Sequence, residues 1–132
     1  MPSRPKPLRL PDYLRHAVEA ATRIHNYIAG LTEDDFKRSP LIQDAVIRNL
    51  EVIGEACRNV LRHHGEFAAS HPEVPWTRPY EMRNALTHGY FNVDLGRTWN
   101  TVQTALPPFA AQVRTLLVQL DQPPPGAAPS HP

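Results

Sequence analysis

Between Pro40 and His63 the apolar residues Ile42, Val46, Leu50, Ile53, Cys57 and Leu61 recur every three or four positions. That spacing gathers them on one side of an α-helix, which at 1.5 Å per residue would be about 36 Å long. A helix of that length is the central strut of a bundle, so the other elements are expected to pack along it. Gly54 sits in its middle and weakens the helix by about 1 kcal/mol relative to Ala, which marks a place where another backbone comes close. Cys57 falls on the stripe and reads as a small buried hydrophobe.

The flanking segments carry the same period. Leu14, Val18, Ala21, Ile24 and Ile28 predict a first helix that starts near Asp12 and stops at Gly30. Thr32 to Asp35 has the form of an N-terminal cap with acidic residues in the first turn, opening a short helix that carries Phe36. After Gly65, read as a left-handed cap on the long helix, Pro72, Pro75 and Pro79 precede a helix expected over 79–87. Leu95, Trp99, Val102, Leu106, Phe109, Val113, Leu116 and Leu120 form a last, heptad-like seam, with a kink or break expected at Pro107 and Pro108 without loss of the buried face. No run of alternating β-branched residues competes with this pattern. The expected fold is all-α, an antiparallel bundle of four to five helices.

The 132 residues and 41% hydrophobic content suit one domain with one core. Of the 15 prolines, most lie in the terminal segments, which hold too little apolar surface to offset the entropy of ordering them. The expected division is a disordered arm over 1–11, a helical domain over 12–121 and a disordered Pro-rich tail over 122–132. Arg4, Lys6 and Arg9 read as a solvated arm rather than a nucleic-acid contact. Lys+Arg number 14 against 13 Asp+Glu, so the chain does not coat nucleic acid by bulk charge and any such contact is local. A single cysteine, an N-terminus without an apolar run and no stretch near the roughly 20 residues that cross a bilayer point to the reducing cytoplasm and exclude a membrane span.

Two arginine-histidine pairs have five-residue spacing, Arg58 with His63 in "RNVLRHHG" and Arg83 with His88 in "RNALTHGY". Twelve arginines and seven histidines in this length give roughly 0.6 such pairs by chance, so spacing alone decides nothing. The first pair closes the long helix, where basic residues favour the helix dipole and need no further role. Five residues turn a regular helix about 140° past a full turn, so Arg83 and His88 meet only if the helix loosens at His88 and Gly89. Tyr90 then adds a hydroxyl two residues beyond the histidine. His63, His64, His71 and Cys57 match no familiar zinc spacing, and no metal or cofactor is expected. Trp76 and Tyr80 are candidates for stacking on RNA bases, while Trp99 belongs to the seam. Tyr13, Tyr27, His16 and His25 decorate the first helix.

"RNALTHGY" resembles the R-x4-H-x-Y motif of the HepT-like toxins in the HEPN ribonuclease superfamily. The likeness continues, in the family's order, through "QDAVIRNLEVIGEA" from Gln43, "HPEVPW" from His71, "RNALTHGYFNVDL" from Arg83 and Trp99 to "LPPF", covering about residues 10 to 120. The resemblance implies a metal-independent endoribonuclease, the toxin of a type VII toxin-antitoxin system. It assigns acid-base work to His88, phosphate binding to Arg83 and support to Asn84. It further implies a homodimer that joins two motifs in one cleft, and a partner nucleotidyltransferase antitoxin of the MntA type that attaches AMP to Tyr90. The alternative within the same fold is a non-catalytic HEPN module that binds a nucleotide or a protein.

Overall fold

The computed structural model describes residues 7–88 and 94–121, with the backbone alone at Thr87 and His88. The elements are α1 (Leu10–Ile28), α2 (Glu33–Lys37), α3 (Pro40–His63), α4 (Gly65–Ser70), α5 (Thr77–His88), α6 (Leu95–Asn100), a π-helical turn (Thr101–Ala105) and α7 (Leu106–Asp121). The fold is all-α, and the described residues contain no strand. The expected arm at 1–6 and tail at 122–132 lie outside the described residues, and α1 begins two residues before Asp12.

Helix α3 is the strut against which α1 and α5 make the most extensive packing. Its buried stripe runs Val46, Leu50, Ile53, Cys57 and Val60. The last of these replaces the expected Leu61, which is exposed. Val60 stands about 20° from the direction of Ile53 around the helix and Leu61 about 80°, so the partner reaches only the former. Helix α1 presents Leu14, Ala17, Ala20, Ala21 and Ile24, all buried. The alanines let α1 lie close to α3, and Val18 sits half-buried beside them. The two helices run antiparallel, because Tyr13 near the start of α1 stacks on His63 at the end of α3.

Local signals set the ends of these elements. Gly30 has φ +77°, the left-handed conformation that only glycine adopts cheaply, and it ends α1. Thr32 and Asp35 form a reciprocal capping box on α2. This holds Phe36 in the core with its ring 5.5 Å from Trp99, a burial that contributes about 2–3 kcal/mol. Ser39 caps α3 by accepting from the Ile42 N–H, with Pro40 in the first turn.

One expectation needs correction, and a second is met only in part. Gly65 is not a left-handed cap: Gly30 is the one glycine with positive φ among the described residues. The chain breaks at His64 (φ −137°, ψ 45°) and restarts at Gly65 as α4, which buries Ala68 and sets Phe67 against His71 and Trp76. Pro107 and Pro108 do not break the last helix. A π-helical turn stands immediately before them, with the Leu106 N–H bonded five residues back to Thr101. The wider turn makes room for the two rings, which have no N–H to continue the ladder. Val102, Leu106, Phe109, Val113 and Leu116 stay on the buried face throughout.

Candidate active site

Helix α5 is placed by Gly54. A Cβ on Gly54 would overlap Arg83 Cβ and stand 2.6 Å from the Pro79 carbonyl oxygen, so α5 rests directly on the α3 backbone at this point. The close approach expected from a mid-helix glycine is therefore made by the arginine of the motif. Arg83 and Pro79 are one turn apart on the face that meets α3, while Leu86, one turn beyond Arg83, is buried in the core.

The Arg83 guanidinium is anchored on two sides. Nη1 donates to Asn84 Oδ1 at 3.2 Å, and Nη2 lies 3.5 Å from Glu55 Oε2. Glu55 Oε2 is shut off from solvent and accepts no hydrogen bond among the described residues. The ion pair is therefore what offsets the cost of burying that oxygen. The other oxygen, Oε1, lies 3.4 Å from Arg58 Nη1 one turn along α3. Asn84, followed by Arg58 and the charge of Arg83, favours the phenolate of Tyr80 and holds its pKa below the usual tyrosine value, against an opposing effect of burial. Glu55 thus joins Arg58 on its own helix to Arg83 on α5, and Asn84 extends the polar contacts at the α3–α5 junction.

Arg83 borders a cleft of about 540 Å³ between α1, α3 and α5, whose walls include His16, Arg48, Glu55 and Asn59. A larger cleft of about 900 Å³ between α5 and the last helices is lined by Met82, Ala85, Leu106 and Phe109 and does not include Arg83. Size does not choose between them; the smaller one is the one that includes Arg83.

The described part of the site places Arg83 against Asn84. His88 belongs to α5 by its backbone, its side chain lies outside the described residues, and so does Tyr90. The other arginine-histidine pair is divided between neighbours. His63 stacks on Tyr13, with ring centres 6.3 Å apart, while Arg58 turns to Glu55. The remaining candidates take up structural places. Trp76 is buried and donates to the His71 carbonyl at 3.1 Å. His71 pairs with Glu73 at 3.0 Å, which helps hold the Glu73 carboxyl low after the larger effect of its own backbone N–H. Cys57 is buried, and desolvation pushes its thiol up to about 12. No group of three metal-binding side chains occurs among the described residues, and no described helix is long and apolar enough to cross a membrane.

Sequence reasoning missed Glu55, a place for His16 at the cleft and any role for Arg58 beyond ending a helix, and it gave Tyr80 only a stacking role. The signal for two of them was present: Glu55 and Arg58 are spaced i, i+3 and directly follow the glycine that marks the close approach.

A family model described as "Ribonuclease HepT-like" matches residues 17–116. Among curated relatives, "Gamma-glutamylcyclotransferase and putative RNase MJ0434" of Methanocaldococcus jannaschii is 40% identical over 83% of this chain and 48% of its own length. The chain therefore spans about half of that relative. "Probable ribonuclease HepT" of Thermococcus cleftensis is 40% identical over 73% of this chain and 84% of its own. "Putative RNase TTE0752" of Caldanaerobacter subterraneus subsp. tengcongensis is 33% identical over 80% and 91%. No solved structure matches.

Proposed function

The chain belongs to the HepT-like ribonuclease family, and from that premise we propose that it is a toxin that cleaves RNA without a metal ion, using Arg83, Asn84 and His88. The observation that carries this reading is the fixed guanidinium of Arg83, seated on Gly54 and held by Glu55 and Asn84 at the rim of a cleft.

RNA contains its own nucleophile. A base removes the proton of the 2′-hydroxyl, the 2′-oxygen attacks the adjacent phosphorus, and the P–O5′ bond breaks as an acid protonates the leaving 5′-oxygen. The products are a 2′,3′-cyclic phosphate and a 5′-hydroxyl. His88 serves as base or acid because imidazole exchanges protons near neutral pH. Arg83 binds the extra negative charge of the phosphorane with a planar, permanently charged fork that needs no reorganisation. Asn84 positions that fork through its carbonyl oxygen. A homodimer would supply a second copy of each group, and with it the second acid-base partner.

Tyr90 is the site at which a cognate nucleotidyltransferase antitoxin would attach AMP. A bulky anion two residues from His88 would fill the cleft and occupy Arg83, so inhibition follows from size and charge together.

The deciding experiment incubates purified protein with RNA in EDTA and identifies the 3′ ends by mass. Cyclic phosphate ends are expected, and activity that appears only with added metal sinks the mechanism. Coexpression with the nucleotidyltransferase should add the mass of AMP to the peptide containing Tyr90; an unmodified peptide rules out that regulation.

A further inference from the structure

One carboxylate of α3 lies between guanidinium groups from two helices. Glu55 Oε1 is 3.4 Å from Arg58 Nη1, and Oε2 is 3.5 Å from Arg83 Nη2. Both guanidinium groups are permanently charged, because arginine does not lose its proton in proteins.

Arg58 is not an ordinary solvated partner of its helix neighbour. An exposed pair on one helix turn orders two long side chains for little return. Here the carboxylate that holds Arg58 also holds Arg83 from α5 through its other oxygen. The shared carboxylate therefore fixes the second guanidinium relative to the first across the helix junction. Their side chains remain 39% and 33% exposed, so both can meet a ligand. A pre-ordered pair of permanently charged forks suits successive phosphates of one strand, because little side-chain entropy remains to be lost on binding.

We propose that Arg58 is a second phosphate-binding residue of the site, holding the backbone phosphate next to the one held by Arg83 on single-stranded RNA. The identity of the ligand rests on the ribonuclease reading; the paired guanidinium groups do not. Glu55 then acts as a positioning residue, which sets the distance between the two groups without touching the strand.

The test is a fluorescence anisotropy titration of the full chain with a short single-stranded RNA whose 2′-oxygens are methylated, so that it binds without cleavage. It is repeated across a salt series. Arg58→Gln should bind about 10-fold more weakly and lower the slope of log affinity against log salt by about 0.7, the value of one phosphate contact on a single strand. Arg58→Lys should keep the slope and lose part of the affinity, and His63→Gln should match the wild type. Should Arg58→Gln fail to fold, Arg58→Lys decides: weaker binding at an unchanged slope supports the second fork, and wild-type affinity overturns it. Unchanged affinity and slope in Arg58→Gln overturns the proposal, as does a wild-type chain that binds no RNA. Cleavage of the unmethylated strand is measured alongside. Binding that follows the expected pattern with no cleavage supports the second contact while overturning the ribonuclease reading.

Discussion

Gly54 and Arg83 share one volume: the space a side chain on Gly54 would need is filled by Arg83 Cβ and Cγ. The absence of a side chain on one helix therefore sets the position of a guanidinium on another. Gly54→Ala should gain about 1 kcal/mol of helix propensity and lose more through overpacking against α5, where such insertions cost about 1–3 kcal/mol. A Tm lower by a few degrees is expected at this chain length. RNA cleavage by the folded variant should fall as well, because Arg83 is displaced. A Tm at or above the wild-type value would falsify the seat.

The two arginine-histidine pairs should separate in activity. Arg83→Ala is expected to lower kcat/KM about 100- to 1,000-fold, the range for losing a fixed group that binds developing charge. It also strands Glu55 Oε2 without its counter-ion, so the unfolding free energy should fall by the cost of an unpaired buried acceptor, about 1–3 kcal/mol, and Tm with it. His88→Ala should lower activity about 100-fold or more. His63→Ala removes a ring stacked on Tyr13 and should leave cleavage intact. Loss of activity in the last variant would mean that the wrong pair has been chosen.

Tyr80 should be the tyrosine that titrates early. Asn84, Arg58 and Arg83 favour its phenolate, so its folded-state pKa lies below the ordinary value of 10.0. A depressed folded pKa contributes stability only where the group is ionised. The contribution is complete above the unfolded pKa and is lost as pH falls through the folded one. Wild type should therefore gain on Tyr80→Phe as pH rises toward 10, with no such gain at pH 7. Phenolate absorbance in Tyr80→Phe and Arg58→Gln provides the check. An unchanged early transition in both rules out the assignment.

Cys57 should be silent toward thiol reagents until the bundle opens. Burial raises its pKa from 9.0 to about 12, so the folded state keeps its proton where the unfolded state loses it. Its contribution to stability is complete below pH 9 and declines as pH climbs from 9 to 12. Labelling by a disulfide reagent at pH 8 should follow the rate of unfolding measured by circular dichroism. Rapid stoichiometric labelling of folded protein would show that the thiol is accessible.

Much of the fold was legible because the helices carry their own instructions. The capping box at Thr32 and Asp35, the serine before Pro40, Gly30 and the three-and-four spacing of Val46, Leu50, Ile53 and Cys57 each act within a turn or two of chain. The departures came where neighbours decide. Leu61 is as apolar as Val60, yet only Val60 faces a partner. Gly65 opens a helix because Phe67 and Ala68 have Trp76 and the core to pack against. Two prolines were absorbed by a widened turn because the seam on either side of them stays buried.

The same boundary runs through the site. The sequence by itself determined the helices, the glycine at the middle of the strut and the arginine and asparagine of the motif, because these depend on contacts between near neighbours in the chain. Only the tertiary structure decided that Gly54 is the seat of Arg83 and that one carboxylate serves guanidinium groups 25 residues apart in the chain, at Arg58 and Arg83. It also parted Arg58 from His63, despite their motif-like spacing. Spacing along a helix fixes the angle at which a side chain leaves it, whereas the charge that side chain meets is set by the helix packed alongside.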